Sequence, residues 1–178
     1  MGDPLKGYKR YLTILILSCL LITIGLLYAK QKTMMEALNH FCRIYNIDER
    51  VMYSLIQEES DGVLDAVSDA DCWGLGGISE RMARRYYYHR ANKISYFTNI
   101  ALLPKSKLKR HMLLLYPNIG ASCHAFRHCL DQSKNKFGEE VYLYAIHLYL
   151  NGYTDNISWR YYDRILDRIV RFGYKEIR

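Results

Sequence analysis

Two adjacent carboxylates, Glu58 and Glu59, stand in the stretch SLIQEESDGVLDAVSDADCWGLGGI (residues 54–78), where an apolar helical run gives way to a polar loop dotted with glycine. A carboxyl group can protonate a leaving oxygen only if it holds a proton near neutral pH, and apolar surroundings favour its protonated form. At about 100° per residue, with Val51 at zero, Met52, Leu55 and Ile56 define an apolar face centred at about 70°. Glu59 falls at about 80°, inside that face, and Glu58 at about 340°, on its flank. Glu59 is therefore the candidate acid, and Glu58 is expected to reach water. A buried carboxyl bonded only to loop backbone is the competing reading of Glu59.

Acid–base chemistry often pairs a carboxyl acid with a second carboxylate. Asp61, Asp65, Asp69 and Asp71 are at hand, but a polar loop uses aspartate first of all for turns and caps. His124 and His128, four apart, share a helix face at a spacing that suits zinc. Cys123 and Cys129 cannot join them at one point from that helix and no nearby acid completes a set, so no metal is expected. Arg84-Arg85-Tyr86-Tyr87-Tyr88-His89-Arg90 reads either as a surface for sugars and anionic polymer or as the wet and dry sides of one helix.

The elements that must carry these residues are helical almost throughout. Met34, Leu38, Phe41, Cys42 and Tyr45 recur at spacings of three and four. Asp48 can cap the helix that ends at the two glutamates. Residues 60–72 read as loop, and a third helix runs from about Ser79 through Tyr88. Pro104 and Pro117 punctuate the middle. Helices follow over roughly 118–134 and 139–150, the second closed by Asn151-Gly152, and a last one over roughly 156–171 has Trp159, Tyr162, Ile165, Leu166 and Ile169 as its stripe. No strand alternation is evident, so the fold class is all-α.

Ahead of these helices, residues 11–29 carry no charge, with Lys6, Lys9 and Arg10 before them and Lys30 and Lys32 after. That length suits one bilayer crossing with a cytoplasmic N-terminus. A cleaved signal segment, or lipidation at Cys19, are the alternatives, and each sends residues 33–178 out of the cytoplasm. The expected organisation is thus a stub and membrane helix over 1–32, then one domain over 33–178. Half the 178 residues are apolar, enough for a core in that domain. The net charge of +7 is spread along the chain rather than gathered in one motif, which argues against nucleic acid as partner and fits anionic lipid or wall polymer. Cys42, Cys72, Cys123 and Cys129 permit two disulfides in three connectivities, although Cys123 and Cys129 point apart on one helix. Four small buried thiols are the equal alternative.

Around Glu59 the chain resembles the soluble lytic transglycosylase family, whose domain is lysozyme-like. That family's first motif reads approximately A-I-x-x-E-S-x-F-x-P-x-A-x-S, followed by G-L-M-Q-I. Here Leu55-Ile56-Gln57-Glu58-Glu59-Ser60 leads without a gap to Ser68 and then to Gly74-Leu75-Gly76-Gly77-Ile78. Asn118-Ile119 resembles the family's N-I-x-x-G helix start, and Leu148-Tyr149-Leu150-Asn151-Gly152 its A-Y-N-A-G segment, so the resemblance covers about residues 36–155. The chain differs at Gly76-Gly77, where the family has Met-Gln, at Leu150, where it has Asn, and at Ser122, where it has Gly.

The resemblance implies that Glu59 is the catalytic acid, that Ser60 and Ser68 are hydrogen-bonding residues of the loop or site, and that Tyr149 orients the acid, with Asn151 available in place of the family's asparagine. It implies peptidoglycan as substrate and a single carboxylate doing both proton transfers, which leaves 1,6-anhydro-N-acetylmuramic acid ends without metal or cofactor. Hydrolysis of the lysozyme kind and a wall-binding scaffold without turnover are the alternatives. The expected location is the cytoplasmic membrane, with the domain on its outer side.

Overall fold

The structure, a computed structural model, describes the backbone of residues 4–91, 96–151 and 159–171, and side chains for 14–26, 29, 32–90, 97–150 and 163–169. Among the described residues it is all-helical, with eight helices and no strand. They are α1 (Pro4–Tyr45), α2 (Glu49–Ser60), α3 (Glu80–Ala91), α4 (Tyr96–Ala101), α5 (Lys105–Met112), α6 (Leu115–Phe137), α7 (Tyr142–Asn151) and α8 (Trp159–Arg171). Internal contacts divide the chain into two units, Met1–Glu36 and Ala37–Arg178.

In the first unit, residues 14–26 expose their side chains throughout. That run is shorter than the roughly 20 apolar residues a bilayer crossing takes. No helix among the described residues is long and apolar enough to cross a membrane. The apolar stretch 11–29 extends beyond this run at both ends, into residues whose side chains lie outside the described set. The helix runs on unbroken to Tyr45, where sequence periodicity predicts two separate segments. Residues 29–34 contain neither proline nor glycine, so nothing in the backbone halts it. Asn46, in the left-handed region at φ 51°, stops it.

In the second unit, the Asp48 carboxylate caps α2 by accepting from the Arg50 amide at 2.9 Å. Val51, Met52, Leu55 and Ile56 are buried as their spacing predicts. Asp61 ends the helix in the left-handed conformation. α2 packs against α8, α6 against α7, and α3 against α4, α5 and α6.

Two helices escape the sequence reading. α4 is a turn and a half, and α5 buries only Leu108 and Met112 amid basic residues, too sparse a stripe to register as a period. α6 begins at Leu115, three residues ahead of expectation, with Pro117 inside its first turn. Proline is tolerated there because the first amides of a helix have no intrahelical acceptor. The proposed cap Gly152, residues 156–158 at the expected start of the last helix, and the side chains of Trp159 and Tyr162 lie outside the described residues.

Trp73 is fully buried at the centre of a core made with Ile78, Ala83, Tyr86, Tyr87, Ile100, Leu108 and Met112. Tyr86 and Tyr87 are thus core, while Tyr88 and His89 are exposed. Arg84 pairs with Glu80 at 2.7 Å and reaches the Leu103 carbonyl at 3.2 Å. The basic-aromatic stretch is therefore the two sides of α3.

Candidate functional site

The loop after α2 is organised by backbone pairing on both sides of Trp73, with Val67 and with Ile78. Trp73 and Ile78 exchange both of their backbone hydrogen bonds, at 2.9 and 3.0 Å, closing a tight ring over Gly74–Gly77. Three helices hold this ring by one side chain each. From α2, the Ser60 hydroxyl faces the Leu75 carbonyl at 2.8 Å and its own helix's Ile56 carbonyl at 3.0 Å. From α6, the buried Asn118 side chain donates to the Trp73 and Met112 carbonyls, both at 2.8 Å, and accepts from the Gly76 amide at 2.9 Å. From α7, the Tyr149 hydroxyl donates to the Gly76 carbonyl at 2.8 Å.

Glu59 sits in the last turn of α2 with its carboxylate against Gly77. A Cβ on Gly77 would collide with that carboxylate, and the backbone there is left-handed at φ 58°, so glycine is required twice over. Among the described residues no hydrogen bond or ion pair reaches the Glu59 carboxylate. Burial pushes its pKa up to about 7, and the neighbouring charge of Glu58 adds to the rise. The group is consequently split between acid and carboxylate near neutral pH.

Glu58 corrects the helical-wheel expectation. Its side chain is only 5% exposed and is clasped by Arg164 at 2.8 Å and Arg168 at 3.5 Å. The wheel places it on the flank of α2, but α8 covers that flank and supplies the arginines. It is a paired structural carboxylate as well as a source of negative charge beside the acid.

Tyr149 reaches the loop beside Glu59, its hydroxyl bonded to Gly76, the neighbour of Gly77. Burial raises the phenol's pKa well above its usual value, and the Glu59 charge raises it further, so the hydroxyl keeps its proton. Ser68 is exposed and belongs to a turn, its Oγ accepting from the Cys72 amide at 3.1 Å. Asn151 ends α7, and its side chain lies outside the described residues.

The loop aspartates stand apart from Glu59 in their surroundings. Asp61, Asp65 and Asp69 are exposed. Asp71 is held by Lys105 at 2.7 Å and Lys109 at 3.0 Å, and it accepts from the Trp73 indole at 2.8 Å. The Lys105 hydrogen bond foremost, then those of Trp73 and Lys109, hold its carboxyl far below the usual range.

Sequence reasoning missed the clamping role of Asn118, which it read only as a helix start, and the anchoring role of Trp73. Gly76 and Ser122, two departures from the family pattern that lie far apart in sequence, touch in the fold. A Cβ on Gly76 would run into the Ser122 hydroxyl and lie 2.9 Å from the Tyr149 hydroxyl. Beyond Tyr149 opens a cleft of about 230 Å³, lined among others by Arg81, Arg85, His124, His128 and Leu148. Arg85 faces His128 Nδ1 at 3.3 Å, and no group of three or more His, Cys, Asp or Glu among the described residues could hold a metal ion. No protein-family model matches this chain, and no curated protein matches it.

Proposed function

We propose that the chain is a peptidoglycan lytic transglycosylase with a lysozyme-like domain, and that Glu59 is its acid and base. The observation that carries this reading is a carboxyl with a pKa of about 7, set against bare glycine backbone at the end of a helix. The gap-free run from Leu55 to Ile78 that resembles the family's first motif supports it.

In this reading Glu59 protonates the oxygen between N-acetylmuramic acid and N-acetylglucosamine. As carboxylate it then takes the proton of the muramyl 6-hydroxyl, which attacks C1 and closes a 1,6-anhydro ring. The carboxyl gives one proton to the leaving oxygen and takes another from the 6-hydroxyl, so one carboxyl near its pKa serves both steps. Tyr149 and Ser60 act as positioning residues: they fix the Gly74–Gly77 ring that the carboxylate rests on. Asp71, paired with two lysines, is not free to serve as a second carboxylate of the hydrolytic kind. The exposed apolar residues 14–26 and the basic residues around 11–29 support a single-pass anchor that leaves the domain on the outer side of a cytoplasmic membrane.

The test is mass spectrometry of purified wall sacculi incubated with the full chain in detergent. The expected products carry 1,6-anhydro ends, and Glu59→Gln removes roughly 10²–10⁴-fold of the rate or more. Reducing ends that depend on one of the loop aspartates would make the protein a hydrolase. Binding to sacculi without cleavage would make it a scaffold.

A further inference from the structure

The sulfurs of Cys42 on α1 and Cys123 on α6 lie 3.9 Å apart, 81 positions from one another in sequence. Both residues are buried, at 2% and 0% exposed. Beside them the Phe41 ring of α1 fills the space at Gly120 of α6, one turn before Cys123, where a Cβ would meet it at 3.0 Å. A disulfide needs its sulfurs at about 2.05 Å, so closure takes a movement of about 2 Å, within reach of side-chain rotation and a small helix shift. No other cysteine offers such a neighbour: Cys19 is exposed in the N-terminal stretch, Cys72 sits in the loop, and Cys129 faces the cleft beside Tyr149.

We propose that Cys42 and Cys123 are a disulfide-forming pair that ties the end of α1 to the middle of α6. The oxidant is a small-molecule or protein disulfide of an oxidising compartment. One thiolate attacks a sulfur of that oxidant and releases a thiol. The second thiolate then attacks the mixed disulfide and releases the other. Two cysteine thiols thereby lose two protons and two electrons, one S–S bond forms, and one S–S bond of the oxidant is reduced. Contact with Cys42 and burial both hold the Cys123 thiol well above its usual pKa, so the folded chain makes little Cys123 thiolate. The exchange therefore belongs to folding, before α1 and α6 close over the sulfurs. The bridge would lie one residue from Ser122 and so brace the part of α6 that supports the Gly76 loop. This inference rests on the outward location proposed above but not on the glycan chemistry, and it holds for a chain without turnover.

The experiment refolds the reduced full chain in detergent with oxidised and reduced glutathione, alkylates the remaining thiols, and digests with trypsin without reduction. Cleavage at lysine and arginine places Cys42 in peptide 33–43 and Cys123 in peptide 111–127. The expected result is a linked 33–43/111–127 species, with Cys19, Cys72 and Cys129 alkylated and a Tm roughly 5–15 °C above that of the reduced protein. The variant with Cys19, Cys72 and Cys129 all changed to Ser should give the same linked species, and it leaves the core pair intact should Cys42→Ser fail to fold. Alkylation of both Cys42 and Cys123, or linkage of either to Cys72 or Cys129, in helical, refolded protein overturns the proposal.

Discussion

The Ser122 hydroxyl stands where a Cβ on Gly76 would have to go. The two residues are complementary in size, so the absence of a side chain in the loop is matched by the presence of one on α6. Gly76→Ala alone should destabilise the fold by roughly 1–3 kcal/mol through overpacking. Adding Ser122→Gly should recover part of that loss, with a coupling of roughly 1–2 kcal/mol. Denaturant unfolding of the two single variants and the double variant measures it, and strictly additive losses would show that the contact carries no energy.

Glu59 links the site to stability. The folded carboxyl has its pKa raised from 4.5 to about 7, so between those values the folded chain holds a proton that the unfolded chain has lost. Stability should fall as pH rises from about 4.5 to about 7 and then level off. Glu59→Gln should therefore raise stability at pH 8 by roughly 2–3 kcal/mol and leave it little changed at pH 4. Thermal melts at the two pH values check this, and equal effects at both would contradict the raised pKa.

Glu58→Gln should separate clasp from charge. Removing the carboxylate leaves Arg164 and Arg168 without their buried partner and should destabilise by roughly 1–3 kcal/mol. It also removes the negative neighbour of Glu59, so the pKa of Glu59 should drop below its present value. A carboxyl NMR titration reads that shift directly. Activity, where present, should persist with its pH profile moved towards acid.

Asp71→Asn should loosen the loop without abolishing chemistry. The two lysine contacts go, and the Tm should fall at pH 7. Because Asp71 has a depressed pKa, its contribution is present above the usual carboxylate value near 3.8 and lost only as pH falls below it. The indole of Trp73 bonds to Asp71, so its fluorescence should respond to this substitution and to acid, but not to Asp65→Asn or Asp69→Asn.

How far the sequence could be read follows from the range of the interactions. α2 and the burial of Glu59 on it were legible because cap, apolar stripe and carboxylate all lie within one short segment. Glu58 was misjudged because its arginines come from α8, beyond any local pattern. α4 and α5 were missed because short basic helices with two buried residues carry almost no period. The fit of Gly76 to Ser122, and of Cys42 to Cys123, depends on where α6 lies, and periodicity does not report the distance between helices. Asn118 read as a helix start because its three hydrogen bonds go to backbone that no motif records.

Those three bonds bear on what the gene can tolerate. The Asn118 amide donates twice and accepts once, in fixed directions, inside a packed interior. Aspartate would turn oxygen towards two carbonyls, serine falls short, glutamine is too long, and leucine leaves all three backbone groups bare. In a saturation library selected for folded protein, position 118 should thus return almost a single letter. Gly76 and Ser122 should instead drift jointly, and any route that enlarges the loop residue must first pass through a smaller residue at 122. A line of descent can rewrite this loop in one order and not in the other.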